Sequence, residues 1–341
     1  MEISIIIPTL NRAASLKSTL RSILAQVDAP LFEVIVVDNG STDNTREVCS
    51  ETGKEISNFV YVYDSEPGLL TGRHKGGAIA QGVILSFIDD DVELNPYWLR
   101  GVSAAFREAS HVSIVTGPCL PKYQVYPPAW LADCWQPTPH GGKMCLPLSL
   151  IDTGHERVEI DPLYAFGLNY SIRKEAFEIL GGFHPDRIAD HLQQYQGDGE
   201  TGLSIKAKSK NYSALYVSSA LLYHLVPQER LQINYFERWH YYSGVCHSFT
   251  DIRSTHSLYH PYEKNPSKSH LFLRIARKLN NLIRHMIIPE RATPTSVVAL
   301  QRRFNEMFQE GYRFHQQCFL RDEKVRDWVL RTDYWNYKLP I

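Results

Sequence analysis

The chain lacks most features that mark membrane, secreted or nucleic-acid-binding proteins. None of the apolar runs in its 341 residues approaches the ~18 residues needed to span a bilayer. The N-terminus, Met1-Glu2-Ile3-Ser4, has no positive region of a signal peptide and passes straight into a strand pattern, so a cytoplasmic protein is expected. The six cysteines, at 49, 119, 134, 145, 246 and 318, contain no CxxC pair; they read as reduced thiols and spell out no zinc cage. An excess of one charge is missing too. With 36 Lys+Arg against 37 Asp+Glu, net −1, no overall basic field argues for nucleic acid. There is no internal repeat and no low-complexity tract. What is present is an ordinary globular mixture, 43% hydrophobic and 21% charged, which excludes a disordered chain, a collagen and a coiled coil. At ~150 residues per domain, the length suits one large domain or two ordinary ones.

The first half alternates strand and helix. Glu2 to Ile7 is a buried strand stopped by Pro8, and Asn11 is placed to cap a helix carrying Ala13, Leu16, Leu20, Ile23 and Leu24. Phe32–Val37, Val60–Tyr63, Val83–Ile88 and Val112–Val115 are further strands. Helices are expected near Asp43, from Thr71 to Ala80, and after Asn95-Pro96. This alternation predicts βαβ units and a mostly parallel sheet flanked by helices. Residues 118–160, rich in proline, read as a long irregular insertion. Leu163–Ile172, a helix at Lys174–Leu180, a helix after Gly202, and strands near Tyr212–Val217 and Leu221–His224 follow. Beyond Pro227 the pattern is helical, which sets a boundary near residue 228.

Ligands of open α/β sheets bind beyond the carboxyl ends of the strands. Three polar clusters fall there: Pro8-Thr9-Leu10-Asn11-Arg12, Asp38-Asn39-Gly40-Ser41-Thr42-Asp43 and Asp89-Asp90-Asp91. Like charges so close repel, and stay ionised together only if a cation or donors compensate. On that basis, removing one is expected to leave the fold intact. An oxygen-only set suits Mg²⁺ or Mn²⁺, held by one or two carboxylates and substrate phosphates. An isolated acidic run is more often a solvated turn, but its position directly after Ile84-Leu85-Ser86-Phe87-Ile88 favours a metal. Arg73-His74-Lys75 is expected in the first turn of a helix, where two cations suit a diphosphate; an exposed basic turn explains them equally well.

Gly197-Asp198-Gly199-Glu200-Thr201-Gly202 fits GxGxxG literally. Polar residues precede it where a strand is needed, and two carboxylates would face the pyrophosphate, so a dinucleotide site is rejected. Glu200 or Asp198 remains a candidate general base, with Asp198 as a helix cap the plainer alternative. His224, by spacing alone, is more often structural than a ligand. His256 and His260 share a helical face, but Pro261 follows and no carboxylate is near. Asn39-Gly40-Ser41 and Asn211-Tyr212-Ser213 match glycosylation sequons, irrelevant in a cytoplasm.

Together, Ser4-Ile5-Ile6-Ile7-Pro8-Thr9-Leu10-Asn11-Arg12, Val36-Val37-Asp38-Asn39-Gly40-Ser41-Thr42-Asp43 and Phe87-Ile88-Asp89-Asp90-Asp91 resemble family 2 glycosyltransferases of the GT-A fold, over about the first 225 residues. The resemblance implies a Rossmann-like, mostly parallel α/β catalytic domain at 1–227, its nucleotide-sugar half at about 1–117 and its acceptor half at about 118–227, then a C-terminal helical region at 228–341. It implies a nucleotide-diphospho-sugar donor and a glycan or lipid-linked acceptor. Thr9, Arg12 and Asp38 would hold the nucleoside, Pro8 and Asn39 would belong to the same nucleotide-sugar site, and Asp89, Asp90 and Asp91 would form the DxD-type metal and diphosphate motif. His224 matches the late metal-binding His of the family, so Asp91 and His224 would ligate Mg²⁺ or Mn²⁺. Arg73 and Lys75 would meet the leaving-group charge.

Phe166-Gly167-Leu168-Asn169-Tyr170-Ser171-Ile172-Arg173 is similar to the segment that shapes the sugar and acceptor pocket, which places Asn169 there. Trp130 and Trp135 are platforms for a sugar ring or core residues. Two positions depart from the family. Arg73-His74 stands where Arg-Asn is common, and Gly199-Glu200-Thr201 where Gly-Glu-Asp is common. The base is therefore Glu200, in register with the acidic pair, or Asp198. The implied reaction is inverting sugar transfer to a hydroxyl in polysaccharide or glycoconjugate synthesis. A sugar-nucleotide pyrophosphorylase would need a glycine-rich basic loop after the first strand, and Pro8–Arg12 is not one. A nucleotide-sugar-binding module without turnover remains the alternative, against which Asp89, Asp91, Glu200 and His224 together argue.

From Lys264 to Pro289 there is no Asp or Glu, while Leu271, Ile275, Leu279, Leu282 and Met286 form a helical stripe beside six cations. Such a helix docks on the anionic inner face of a membrane, or packs its stripe on the catalytic domain.

Overall fold

The computed structural model describes residues 1–66, 68–259, 297–335 and 339–340. The stretch 264–289 and His260 lie outside them. Eight strands form the main sheet: β1 (Ile3–Thr9), β2 (Phe32–Asp38), β3 (Phe59–Tyr63), β4 (Ile84–Ile88), β6 (Val112–Thr116), β11 (Arg157–Ile160), β12 (Asn169–Arg173) and β13 (Ser213–Val217). Their order is β11-β13-β6-β12-β4-β1-β2-β3. β1 pairs in parallel with β2 on one side and β4 on the other, and β12 enters antiparallel beside β4. All seven residues of β1 are buried, which is why it reads as a continuous apolar run and not an alternating one. Ser4 is its one side-chain hydroxyl in mid-strand. It donates to Glu33 Oε1 at 2.5 Å and accepts from Gly82 N at 2.8 Å, so no buried polar atom there goes unmatched.

Helix α1 (Ala13–Leu24) buries Leu16, Leu20 and Ile23 against this sheet, each stabilising by about 1.5–3 kcal/mol relative to exposure. Asn11 does not cap it. Arg12 holds the cap position, while Asn11 adopts a left-handed φ of +53° and its Oδ1 accepts from Thr42 N at 2.7 Å, joining the loops after β1 and β2. Helix α2 (Thr45–Thr52) follows β2. Helix α3 (Leu69–Ile79) begins two residues earlier than its sequence suggested, so Arg73, His74 and Lys75 lie in its second turn, where backbone N–H groups are already bonded within the helix. α3 approaches β1 closely; a Cβ at Gly76 would stand 2.4 Å from Ile6 Cγ2.

Residues 118–160 are not an irregular insertion. They supply β7 (Cys119–Tyr123), β8 (Gln136–Pro137), β9 (Lys143–Cys145) and β10 (Leu150–Asp152), which join β5 (Val92–Leu94) and β14 (Leu222–Val226) in a second sheet ordered β5-β14-β7-β10-β9-β8. Most of these strands have two to five residues, too short for any periodicity to announce them. Three further helices, α4 (Trp98–Glu108), α5 (Lys174–Ile179) and α6 (Gly199–Ser209), flank the main sheet. α7 (Ile233–Thr255), α8 (Val297–Arg321) and α9 (Glu323–Val329) follow the last strand.

α7 and α8 pack backbone to backbone: a Cβ at Gly311 would lie 2.0 Å from Tyr241 O. The helices are tied to one another and to the helical turn at Asp190–Tyr195, with Trp328 Nε1 donating to Tyr195 O at 2.7 Å and Arg253 donating to Val329 O and Arg331 O at 2.7 Å each. Among the described residues, no helix is long and apolar enough to cross a membrane.

Candidate active site

The carboxyl ends of β1, β2 and β4 meet because β1 lies between the other two, with connections departing to opposite sides. A cleft of about 300 Å³ opens there, lined by Pro8, Thr9, Arg12, Asn39 and Asp89–Asp91, together with Arg187 and Arg230. Thr9 Oγ1 donates to Asp90 Oδ2 at 2.7 Å, and Arg12 reaches Asp90 Oδ1 at 3.3 Å and Asp91 Oδ2 at 2.5 Å. Arg230, which no sequence motif flagged, donates to the same Asp91 oxygen at 2.7 Å. The charges differ accordingly. Burial and the Asp91 charge push Asp90 up to about 7 despite Arg12. Burial acts on Asp91 too, but His224, Arg230 and Arg12 outweigh it and hold its carboxyl well below the usual range. The acidic run is thus compensated by two arginines, and the expectation that losing Asp91 merely relieves repulsion is corrected.

His224 ends up in this cluster. Its Nδ1 lies 2.7 Å from Leu148 O, which fixes the Nδ1–H tautomer, as a backbone carbonyl can only accept. Nε2 then carries a lone pair, receives Arg230, and faces Asp91 Oδ1 at 3.5 Å. That Asp91 oxygen is buried without a hydrogen-bond partner. Asp91 Oδ1 is thus open to a divalent cation, which would gain His224 Nε2 only by displacing Arg230 from its one lone pair. Among the described residues no three His, Cys, Asp or Glu side chains converge on one point, so such an ion would draw further oxygens from substrate phosphate.

Arg73 connects this cleft to a second. Buried beneath the Phe183 ring at 5.0 Å, it reaches Asp89 Oδ1 at 3.3 Å and Glu200 Oε2 at 3.7 Å. Glu200 sits at the start of α6, where Gly167 N donates to its Oε1 at 3.4 Å. Burial and Asp186 raise its pKa against the pull of Arg73. It lies on the wall of a cleft of about 500 Å³ between Leu163, Ala165 and Phe166 on one side and Trp239 and Tyr242 of α7 on the other. These aromatic residues of the C-terminal region carried no motif. Asp198, the alternative base, is enclosed: His184 Nδ1 stands 2.7 Å from its Oδ1, and Thr250 and Tyr259 hydroxyls donate to Oδ2. Burial raises its pKa, but these partners overcome that and lower it.

Other expected residues are not brought in. Lys75 points away, 3.5 Å from Asp64. Asp38 is buried with both oxygens occupied, by Ser41 N at 2.8 Å and Tyr61 OH at 2.7 Å. Asn169 is fully buried; its side chain accepts from Trp98 Nε1 at 3.0 Å and donates to Ala220 O at 2.9 Å, so it has nothing to offer an acceptor. Trp130 packs edge-on to Phe236 at 4.9 Å, in an apolar cluster apart from Glu200, and Trp135 joins the same cluster. His74 is buried and accepts from Phe183 N at 2.9 Å, leaving it no part in anion binding. His256 is bonded to Ile252 O within α7.

The chain is similar in sequence to known glycosyltransferases. Residues 4–151 match the model for glycosyl transferase family 2. A validoxylamine A glucosyltransferase of Streptomyces hygroscopicus subsp. limoneus is 30% identical over 200 residues, covering 54% of this chain and 44% of that one. A glucosyl-dolichyl phosphate glucuronosyltransferase of Haloferax volcanii is 25% identical over 208 residues, 58% of this chain and 61% of that one. Among solved structures, the mannosyltransferase PcManGT from Pyrobaculum calidifontis, in complex with GDP-Man and Mn²⁺, is 17% identical with a TM-score of 0.49, over 94% of this chain and 75% of that one. The architecture is mixed α/β, two sheets with helices trailing the last strand. Through residues 4–151 the chain is similar to glycosyl transferase family 2. It spans less than half the length of the validoxylamine A glucosyltransferases it matches.

Proposed function

We propose that this protein transfers a sugar from a nucleotide-diphospho-sugar to an acceptor hydroxyl, with inversion, in the assembly of a polysaccharide or glycoconjugate. The observation that carries the reading is Arg73, whose guanidinium touches Asp89 in one cleft and Glu200 in the other. The first cleft takes the donor: Pro8, Thr9, Arg12 and Asn39 line it beside Asp89 and Asp90. Asp91, through its unpartnered Oδ1, and His224, once Arg230 leaves its Nε2, would hold Mg²⁺ or Mn²⁺ with the donor phosphates. Bound there, the ion would supply a counter-charge for the diphosphate.

Glu200 is the base. It takes the proton of the acceptor hydroxyl as the oxygen attacks the anomeric carbon from the face opposite the diphosphate, and its raised pKa suits that task. Asp198 is a poor base because its lone pairs are already bonded and its pKa is lowered. The acceptor, a glycan or a lipid-linked glycan, would lie between Phe166 and the aromatic residues of α7. The membrane docking considered for 264–289 falls outside the described residues.

Incubation with a panel of nucleotide sugars and Mn²⁺, following nucleoside diphosphate release, tests the proposal. Release that is abolished by EDTA and strongly reduced in Glu200→Gln is expected. Binding of a donor without any release would make the protein a sensor or carrier of nucleotide sugars, and would sink the catalytic reading.

A further inference from the structure

Five arginines reach the two clefts; Arg238 of α7 lies over the Tyr235 ring at 5.9 Å, and three others have carboxylate partners. Arg12 is engaged by Asp90 and Asp91, Arg230 by Asp91, and Arg73 by Asp89 and Glu200. Arg187 is different. Among the described residues, it alone lines both clefts, and its guanidinium makes no hydrogen bond or ion pair. Asp186, Asp89 and Glu200 still act on the exposed guanidinium through their fields and raise its pKa. A charged side chain with no partner, at the junction of two clefts, has capacity left for an anionic ligand.

The backbone holds it there at a cost. Arg187 has φ +52°, a left-handed conformation that bulky L residues rarely adopt. The turn is braced from both sides. Arg187 N donates to Asp186 Oδ1 at 2.8 Å, Gln196 Nε2 donates to that same oxygen at 2.8 Å, and Ile188 N donates to Gln196 Oε1 at 3.0 Å. Leu69 N, at the start of α3, donates to Asp186 O at 3.3 Å and so ties the turn to the wall of the donor cleft. Gly199 leaves room for Asp186, since a Cβ there would stand 2.8 Å from Asp186 Oδ2. None of these bonds uses the guanidinium; all of them aim it.

We infer that Arg187 grips the terminal phosphate of the departing nucleoside diphosphate, at the point where donor and acceptor meet. The inference rests on the nucleotide-sugar reading above and names a residue that reading lacks. As the acceptor oxygen bonds to the anomeric carbon, the bond from that carbon to the phosphate oxygen breaks and its electron pair stays on that oxygen. The hydroxyl proton passes to Glu200. The new phosphate charge is met by Arg187, whose planar fork matches two phosphate oxygens. Arg12, Arg230 and Arg73 already have carboxylate partners and are less free to follow it.

The test is calorimetric titration of the full chain, in the presence of Mn²⁺, with the diphosphates and monophosphates of uridine, guanosine, adenosine and thymidine. Wild type is compared with Arg187→Asn and Arg187→Lys. Asn tolerates the left-handed conformation, so the turn is kept while the charge is lost. Arg187→Asn should bind the preferred diphosphate about tenfold or more weakly, the loss of one charge-assisted contact, and the matching monophosphate within about twofold. Arg187→Lys should fall between. Equal weakening for both nucleotides would show that the residue only braces the turn, and unchanged diphosphate binding would show that it touches nothing; either overturns the inference. If wild type binds no nucleotide at all, the nucleotide-sugar reading has failed and takes this one with it, an outcome that is visible without the variants.

Discussion

Replacing Asp91 by Asn keeps the side-chain shape and removes one charge from three adjacent carboxylates. Repulsion alone would make the change stabilising. The ion pairs reverse the sign. Asp91 Oδ2 lies 2.7 Å from Arg230, with side chains 6% and 15% exposed, and breaking so buried a pair by removing one partner costs about 3–5 kcal/mol. The Arg12 pair at 2.5 Å adds little, because the Arg12 side chain is 42% exposed and Asp90 remains as its partner. Two effects offset the loss: the Asn oxygen still accepts one N–H, and Asp90 becomes easier to ionise. A net destabilisation of roughly 2–3 kcal/mol is expected, read as a lower urea midpoint at about pH 7 without donor.

Asp90→Asn should act in the opposite sense. The folded-state pKa of Asp90 is pushed up to about 7, against an ordinary value of 3.8, so the native state retains a proton that the unfolded chain has released. The cost of ionising it grows as pH rises between those values and is complete above them. Asp90→Asn should therefore be neutral near pH 4 and stabilising above about pH 7. An Asp91→Asn protein as stable as wild type, or an Asp90→Asn protein less stable at high pH, would refute the charge distribution argued here.

Three further outcomes follow from the same contacts. Glu200→Gln should lower kcat by roughly 10²-fold or more with donor binding nearly unchanged. Because the Glu200 pKa is raised, wild-type turnover should be lost on acidification already above the ordinary carboxylate value of 4.5; an acid limb at or below it would contradict the assignment. His74 and His315 are buried and neutral, lowered by burial to about 3 and about 4. The unfolded chain binds protons below about pH 6.5 that the native state refuses, so stability should fall by up to about 1.4 kcal/mol per pH unit for each as pH drops from there toward 4. Urea midpoints that stay level from about pH 7 to about pH 5 would count against this. Gly311→Ala should force α8 away from Tyr241 O, lower the thermal midpoint and raise the acceptor KM through α7, leaving nucleotide affinity unaffected. A midpoint equal to wild type would show that the two helices are not in such close contact.

The parts legible in the sequence were those written in local spacing. β1, β2 and β4 announce themselves because strands buried on both faces must be apolar throughout, and the polar clusters that follow them must then stand at one sheet edge. Asp89–Asp91 and Glu200 could be singled out on those grounds. His224 could not, being a lone histidine on a short strand; only likeness to a family marked it. What tertiary structure alone decided were pairings between distant residues. Arg230 meets Asp91 across 139 positions, Thr250 caps Asp198 from another helix, and Asn169 is sealed between Trp98 and Ala220. Lys75 and Arg73, two residues apart on α3, face different neighbours, one Asp64 and the other Asp89 and Glu200. Periodicity fixes which face of an element a residue occupies, through bond geometry repeated along a few residues. It carries no information about which charge from elsewhere in the chain arrives opposite that face, and that arrival sets the protonation of each carboxylate here.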